Sequence, residues 1–300
     1  MSLLSSCSEA VSKVREHLEE RGLVTMPMVF KAASEVIEGE GGQVAEFAVV
    51  DEAQDVSVPQ LRFLAAMTGN KTNGLFFAGD LGQRIFQTPF SWKSLGVDVR
   101  GRSATLRINY RTSQQIRSQA DRLLPGEISD VDGIAESRKG TISAFSGPAP
   151  AIEVVESEED EIKFVSDWIK ARVEDGIAPH EIAICVRSTK EVPRARKAVA
   201  AARLDDQVID QASDVQTGKV PVITMHLSKG LEFRAVGIMA CDEEVIPSLE
   251  RIENIGDEAD LEDVHDTERH LLYVACTRAR DHLLVTGVEP GSEFLDDLVM

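Results

Sequence analysis

The sequence predicts an α/β protein whose parallel sheets carry helices on both faces. Short apolar runs, each ending in a polar loop, recur along the chain and are short enough to be buried strands. Capped or amphipathic helical segments separate most of these runs. The chain is 43% hydrophobic and 28% charged, which is ordinary for a globular protein. Strands that alternate with helices of this length are typical of parallel sheets.

In the first half, residues 47–50 and 75–78 are the predicted strands, and each runs into a polar loop. Thr112 and Gln115 have the spacing of a capping box, which predicts a helix start. Four glycines and scattered serines, without apolar periodicity, occupy residues 125–150. That composition predicts a linker between two domains.

In the second half the alternation resumes. Strands are predicted at 151–155, 181–186, 220–224, 235–240 and 283–287, with helices after Ser157, after Ser188 and over 265–279. The predicted organisation is therefore a first domain over 1–124, a linker over 125–150 and a second domain over 151–300.

The charge is strongly acidic but unevenly distributed. Lys and Arg number 32 against 51 Asp and Glu, so the net charge of −19 argues against a nucleic-acid partner. Residues 84–122, however, hold eight basic and two acidic side chains, a local +6. Residues 242–268 hold twelve acids and one arginine, a local −11. The acidic segment is predicted to be a solvated loop, or alternatively a flap that keeps DNA away from one face.

Several classes of protein are disfavoured by the sequence. No apolar run approaches the roughly 20 residues of a membrane span, so no membrane partner is expected. The four cysteines form no CxxC pair, which gives a zinc site or a disulfide framework little support. The first residues lack an export pattern, and a cytoplasmic location is predicted.

Acids follow the first predicted strand. Asp51 and Glu52 come directly after its apolar residues, at the edge where parallel sheets bind ligands. One carboxylate there can hold Mg²⁺ while the second acts as a base toward water. A solvated strand end with chance acids is the alternative. Gln83 follows the second strand, where its amide can bridge a phosphate oxygen or simply form part of a turn.

Cationic and aromatic side chains precede the capped helix. Arg111 lies beside the predicted helix start, where its planar fork and the free backbone donors favour anions. Tyr110 can stack on a base. The alternative is an arginine paired with a carboxylate and a tyrosine in the core.

Two further segments lie in the second half. Thr224 and His226 end a predicted strand, and Gly230 and Glu232 follow in a turn where the carboxylate can accept from a ribose hydroxyl. The alternative for His226 is a structural histidine. Arg278 ends a predicted helix, where a cation commonly just complements the helix dipole.

Taken in order, the strings DEAQD, GDLGQRIF, NYRT, TMHLSKGLEF and LLYVACTRAR resemble motifs II to VI of the UvrD/Rep-like superfamily 1 DNA helicases. The resemblance spans about residues 47 to 287. It implies two RecA-like P-loop NTPase domains, the first incomplete, with ATP and Mg²⁺ bound between them. It also implies 3′-to-5′ movement on single-stranded DNA, with duplex junctions and DNA repair proteins as further partners.

The resemblance also implies a role for each matching residue. Asp51 would hold Mg²⁺, Glu52 would polarise the attacking water, Gln83 would sense the γ-phosphate, Tyr110 would stack on adenine, Arg111 would contact the γ-phosphate, Gly230 and Glu232 would bind the nucleotide, and Arg278 would be the arginine finger. For DNA, the expected contacts are Phe86, Phe90 and Trp92 in the cationic segment, together with Thr224 and His226. A packing role is the alternative for Trp92.

One motif of the family is absent. No GxxxxGK(S/T) string occurs, and only 50 residues precede Asp51. The expectation is a chain that begins inside the first domain and has negligible ATPase activity alone, because this loop supplies most phosphate contacts. The alternative is a non-hydrolysing helicase-like module that binds DNA or a partner protein. A metal-dependent nuclease built on Asp51 and Asp55 has little support, since no further acid or His cluster accompanies them.

Overall fold

The computed structural model of the protein describes residues 3–80, 83, 91–92, 95, 97, 101–125, 127–129, 135–137, 140–253 and 258–299. The chain forms two compact units. Unit 1 comprises Met1–Asp80, Phe86–Ser103 and Asp130–Gly133, and unit 2 comprises Leu81–Ile85, Ala104–Ser129 and Ile134–Met300.

Unit 1 contains three α-helices and a pair of parallel strands within its described residues. These are α1 (Leu3–Glu20), α2 (Met26–Gly39), β1 (Ala48–Val50), α3 (Val58–Met67) and β2 (Leu75–Phe77). Both strands fall inside the apolar runs that predicted them, and Val49 pairs with Phe76 in the parallel ladder. Ser57 begins α3 through a capping box, because its backbone N–H donates to the Gln60 side chain at 2.8 Å.

Unit 2 is built on a six-stranded parallel sheet. Its described elements are β3 (Ile108–Asn109), α4 (Gln114–Ala120), β4 (Glu127–Ser129), β5 (Ala135–Ser137), β6 (Ile142–Ser143), β7 (Ala151–Val155), α5 (Glu158–Glu174), β8 (Ile182–Val186), α6 (Val192–Ala201), β9 (Asp206–Val208), β10 (Val220–Thr224), β11 (Phe233–Ile238), α7 (Leu249–Glu253), α8 (Glu258–Cys276), β12 (Ala279–Val288) and α9 (Glu293–Val299). The strand order is β7-β12-β11-β8-β10-β9. Every ladder in this sheet is parallel, so the predicted fold class is confirmed.

The two faces of this sheet are covered by different helices. Ile184 of β8 packs with Val165 of α5 and Ala198 of α6, while the next residue, Cys185, packs with Leu271 of α8. Successive side chains of a strand point to opposite faces, which explains this alternation. Buried strands need apolar residues on both faces, and this is why their runs are continuous in the sequence.

The compact units do not divide at the predicted linker. Helix α4 belongs to unit 2, where Ile116 is fully buried in the core with residues of α8 and α9. The Ser113 N–H donates to the Arg280 carbonyl at 3.0 Å, and the Gln115 side chain accepts from the Gly147 N–H at 2.8 Å. The segment predicted as a linker contributes strands β4, β5 and β6 to unit 2. The predicted cap at Thr112 is also displaced, since Ser113 is the N-cap residue of α4.

The sequence predicted a solvated loop for the acidic segment 242–268, and this prediction is wrong. Helix α7 and the first half of α8 lie within this segment. Two of its acids pair with mostly buried arginines of unit 2, since Glu268 is fully buried against Arg187 and Asp242 pairs with Arg194. None of the helices in the described ranges combines the length and hydropathy that a membrane crossing needs.

Candidate functional site

The acids after β1 lie in a tight loop of unit 1. Both Asp51 and Glu52 are exposed, and the Glu52 N–H donates to Asp51 Oδ1 at 2.9 Å. Glu52 has a φ of 51°, a left-handed conformation that costs a non-glycine residue about 1–3 kcal/mol. The strained turn holds both carboxyl groups at the carboxyl end of the strand, where open parallel sheets bind ligands.

Gln54 ties this loop to the loop after β2. Its Nε2 donates to Glu52 Oε2 at 2.5 Å, and its Oε1 accepts from the Asp80 N–H at 3.0 Å. A Cβ at Gly79 would lie 2.4 Å from Gln54 Oε1, so any side chain there would push the Gln54 amide out of this position. Sequence reasoning did not assign this role to Gln54, although its place between the acids of DEAQD was a usable signal. The side chain orients the Glu52 carboxylate.

The donor chemistry of this loop fits Mg²⁺. That ion is usually bound through one or two carboxylates, with phosphate oxygens and water completing the octahedron. Asp51 and Glu52 supply such a pair on an exposed strand end. Within the described ranges no group of three or more His, Cys, Asp or Glu side chains could form a protein-only metal cage.

Among the aromatic residues predicted to contact DNA, Trp92 packs edge-on against Phe77 of β2, with ring centroids 4.6 Å apart. This contact favours the packing role for Trp92. Phe86 and Phe90 lie outside the described residues.

In unit 2, Arg278 and Gln83 are brought together. Arg278 is fully buried, and its Nη2 donates to Gln83 Oε1 at 3.0 Å. Its Nε donates to the Val274 carbonyl at 3.0 Å, which fixes the guanidinium against the last turn of α8. Lys229 Nζ donates to the Gln83 carbonyl at 2.8 Å, a contact that sequence reasoning missed. The glutamine is therefore held by residues of two of the predicted motifs.

Arg111 and Glu232 form a second contact of unit 2. Arg111 Nε donates to Glu232 Oε2 at 2.9 Å, and 44% of each side chain remains exposed. Asn109 Oδ1 accepts from the Arg111 N–H at 2.8 Å, which shapes the turn that presents the arginine. The neighbouring Tyr110 is 73% exposed and available for stacking. Gly230 has a φ of 83°, a conformation that side chains rarely adopt, and it turns the chain toward Glu232.

Replacing Glu232 with glutamine is expected to change the free energy of unfolding by less than about 1 kcal/mol, because half-exposed ion pairs contribute little. Urea unfolding of the variant and the unmodified protein measures this. A larger loss would assign Glu232 a structural role instead of a ligand-facing one.

Thr224 and His226 lie where β10 ends. Thr224 pairs with Val186 in the parallel ladder, and His226 follows in the 3₁₀ turn Met225–Ser228. Burial lowers the pKa of His226, and the charges of Arg187 and Arg251 lower it further, whereas Glu268 raises it. The imidazole is therefore held toward its neutral form at the carboxyl edge of the sheet.

The six-stranded parallel sheet of unit 2 therefore carries two arginines, a glutamine and a glutamate at its motif loops. The family model described as UvrD-like helicase C-terminal domain matches residues 197–289. The resemblance identified from the motifs is thereby confirmed.

Curated relatives carry helicase names. A probable DNA helicase of Mycoplasma pneumoniae is 25% identical over 263 residues, covering 82% of this chain and 44% of that protein. The ATP-dependent DNA helicase Rep of Buchnera aphidicola is 39% identical over 83 residues, or 28% of this chain and 11% of that protein. The ATP-dependent DNA helicase PcrA of Staphylococcus epidermidis is 42% identical over 81 residues, or 26% of this chain and 10% of that protein. The chain spans less than half the length of these relatives.

Among solved structures, the C-terminal domain of a possible DNA helicase from Lactobacillus plantarum matches with a TM-score of 0.44 at 24% identity. The match covers 63% of this chain and 93% of that one.

Proposed function

We propose that the chain is the motif II to VI portion of an ATP-dependent 3′-to-5′ DNA helicase or translocase. The observation that carries this proposal is the hydrogen bond of 3.0 Å between Gln83 and Arg278. It joins the residue expected to sense the γ-phosphate to the residue expected to stabilise it. A phosphate that enters here would meet both groups at once, so nucleotide state and the position of Arg278 are coupled.

The remaining predicted nucleotide contacts also place fixed charges and donors around the phosphates. Phosphoryl transfer is catalysed mainly by positioning and charge stabilisation, which suits fixed arginines. Arg111 contacts the γ-phosphate, Tyr110 stacks on adenine, and Glu232 with Gly230 binds the nucleotide. In this scheme ATP competes for Arg111 with Glu232, its present partner at 2.9 Å.

The acidic loop of unit 1 carries the hydrolytic role. Asp51 holds Mg²⁺, which supplies charge neutralisation at the phosphates when bound. Glu52 accepts a proton from the attacking water, and Gln54, at 2.5 Å, keeps the carboxylate oriented for this step.

Thr224 and His226 contact single-stranded DNA, and Phe86 or Phe90 provides the stacking surface, whereas Trp92 packs against Phe77. Duplex junctions and repair proteins are the further partners, and the location is cytoplasmic.

The purified 300-residue protein is expected to show negligible ATP hydrolysis, because its sequence contains no GxxxxGK(S/T) loop to cradle the phosphates. Phosphate release in the presence of Mg²⁺ and single-stranded DNA measures this. Robust Mg²⁺-dependent turnover that Glu52→Gln abolishes would contradict the expectation.

A second candidate function is a non-hydrolysing module that binds DNA or a partner protein. A reading frame that supplies GxxxxGK(S/T) upstream of residue 1 would decide for the helicase. Its absence would decide for the binding module.

A further inference from the structure

A buried charge cluster, formed by Arg187, Glu268 and Arg251, lies beside His226. Arg187 Nε and Nη2 donate to the two carboxylate oxygens of Glu268, each at 2.5 Å. Arg251 Nη1 donates to Glu268 Oε1 at 2.8 Å. The Glu268 side chain is fully buried and that of Arg187 is 8% exposed, whereas that of Arg251 is 40% exposed. We call these three residues the charge triad.

The triad joins three elements around one turn. Arg187 follows the last residue of β8, Arg251 lies on α7, and Glu268 lies on α8. Both β8 and α8 pack against the turn Met225–Ser228, which carries His226. The charges of all three triad residues act on the imidazole of His226. A change in the triad therefore alters the packing around this turn and the charges that act on His226.

The triad is better suited to fixing the orientation of its side chains than to stabilising the fold. Desolvation offsets most of the Coulomb energy of a buried ion pair, so its net contribution to folding is small. A bidentate arginine–carboxylate contact, however, fixes the direction of both side chains. Glu268 makes this contact with Arg187 and still accepts from Arg251, so one carboxylate sets the position of two cations.

We propose that Glu268 is a positioning residue for nucleic-acid binding, which holds the His226 turn at the carboxyl edge of the sheet by clamping Arg187 and Arg251 together. The proposal rests on the proposed function, in which Thr224 and His226 contact single-stranded DNA. The phosphodiester backbone is the ligand, and Glu268 acts on it only through the turn.

Glu268→Gln separates positioning from simple electrostatics. The substitution removes a negative charge, so electrostatics alone would tighten the binding of a polyanion. Loss of the clamp is expected to weaken the binding of fluorescein-labelled oligothymidylate by about tenfold, measured by fluorescence anisotropy. Near-UV circular dichroism verifies that the variant is folded. Unchanged or tighter binding by the folded variant would overturn the proposal.

Arg251 supplies a variant that does not threaten the core, since its side chain is 40% exposed. Arg251→Ala is expected to weaken binding and to raise the pKa of His226, because one of the cations that lower it is lost. Glu268→Gln is expected to shift the same pKa downward, since two cations remain without their carboxylate. Arg251→Lys, which retains the charge, should restore the pKa. NMR titration of the imidazole, assigned with His226→Gln, measures each shift.

Glu250→Gln is the matched control. It breaks the neighbouring ion pair of α7, Lys190 Nζ to Glu250 Oε2 at 2.6 Å, whose side chains are 73% and 71% exposed. Binding should be unchanged or slightly tighter, because this substitution also removes a negative charge, and the pKa of His226 should stay unchanged. A loss of binding equal to that of Glu268→Gln would overturn the proposal. If the unmodified protein fails to bind oligothymidylate, the proposed DNA contact fails and the nucleic-acid role of Glu268 with it. An unaltered His226 titration in Glu268→Gln and Arg251→Ala would instead overturn the clamp alone.

Discussion

Replacing Arg278 with alanine is expected to lower kcat for ATP hydrolysis by about 10³- to 10⁵-fold, the range that arginine fingers contribute. The measurement requires a chain that joins these 300 residues to a GxxxxGK(S/T) segment. Steady-state phosphate release with saturating single-stranded DNA then gives kcat. The physical reason is that a fixed guanidinium stabilises the charge on the transferred phosphoryl group without reorganising at the moment of reaction.

Arg278 is fully buried, so its loss also removes packing, and a second variant separates the two effects. Arg278→Lys retains the charge and most of the stem but lacks the planar fork, which donates to both Gln83 and Val274. It is expected to fold and still to lose most of the rate. Arg280→Ala is the matched control, since that neighbouring side chain is 50% exposed. A kcat for Arg278→Lys close to that of the Arg280→Ala control would reject the finger role.

The sheet of unit 2 could be predicted because its strands are buried on both faces. The sequences of such strands are continuous apolar runs. The strands predicted at 181–186 and 220–224 coincide with β8 and β10 almost residue for residue. Strand β9 was missed, because Asp206–Val208 is a three-residue edge strand without an apolar run. The sequence predicted residues 114–120 as part of the first domain, and α4 lies in unit 2. Its apolar periodicity predicts a buried face, but periodicity does not say which core that face enters.

The candidate site was predicted only in part for a related reason. Motif strings locate Gln83, Arg111 and Arg278 along the chain but do not say which side chains contact one another. The pairing of Arg111 with Glu232 joins positions 121 residues apart, and that of Gln83 with Arg278 joins positions 195 apart. Local patterns carry no information about such contacts. The same holds for Glu268, whose charge suggests an exposed side chain and whose burial depends on two distant arginines.

A second buried network is centred on Glu161, and removing this carboxylate is expected to cause a large loss of stability. The Glu161 carboxylate accepts from the Ala240 N–H at 2.9 Å and from Thr286 Oγ1 at 2.7 Å, and it pairs with Arg194 at 2.5 Å. Burial raises the pKa of Glu161, while the Ala240 hydrogen bond and the Arg194 charge oppose that rise. The network links α5 and α6 to the carboxyl ends of β11 and β12. One buried carboxylate therefore joins four elements at this edge of the sheet.

Glu161→Ala is expected to lower the free energy of unfolding by about 3 kcal/mol, because the buried donors of Ala240 and Thr286 lose their acceptor and buried Arg194 loses one of its ion-pair partners. Asp242 continues to pair with Arg194 at 2.6 Å, which keeps the loss at the lower end for a broken buried ion pair. Glu159→Ala, an exposed substitution in the same first turn of α5, should cost well under about 1 kcal/mol. Urea unfolding followed by circular dichroism measures both. Equal urea midpoints for the two variants would contradict this prediction. They would mean that water replaces the carboxylate without loss of stability and that apolar contacts alone hold α5 against the sheet.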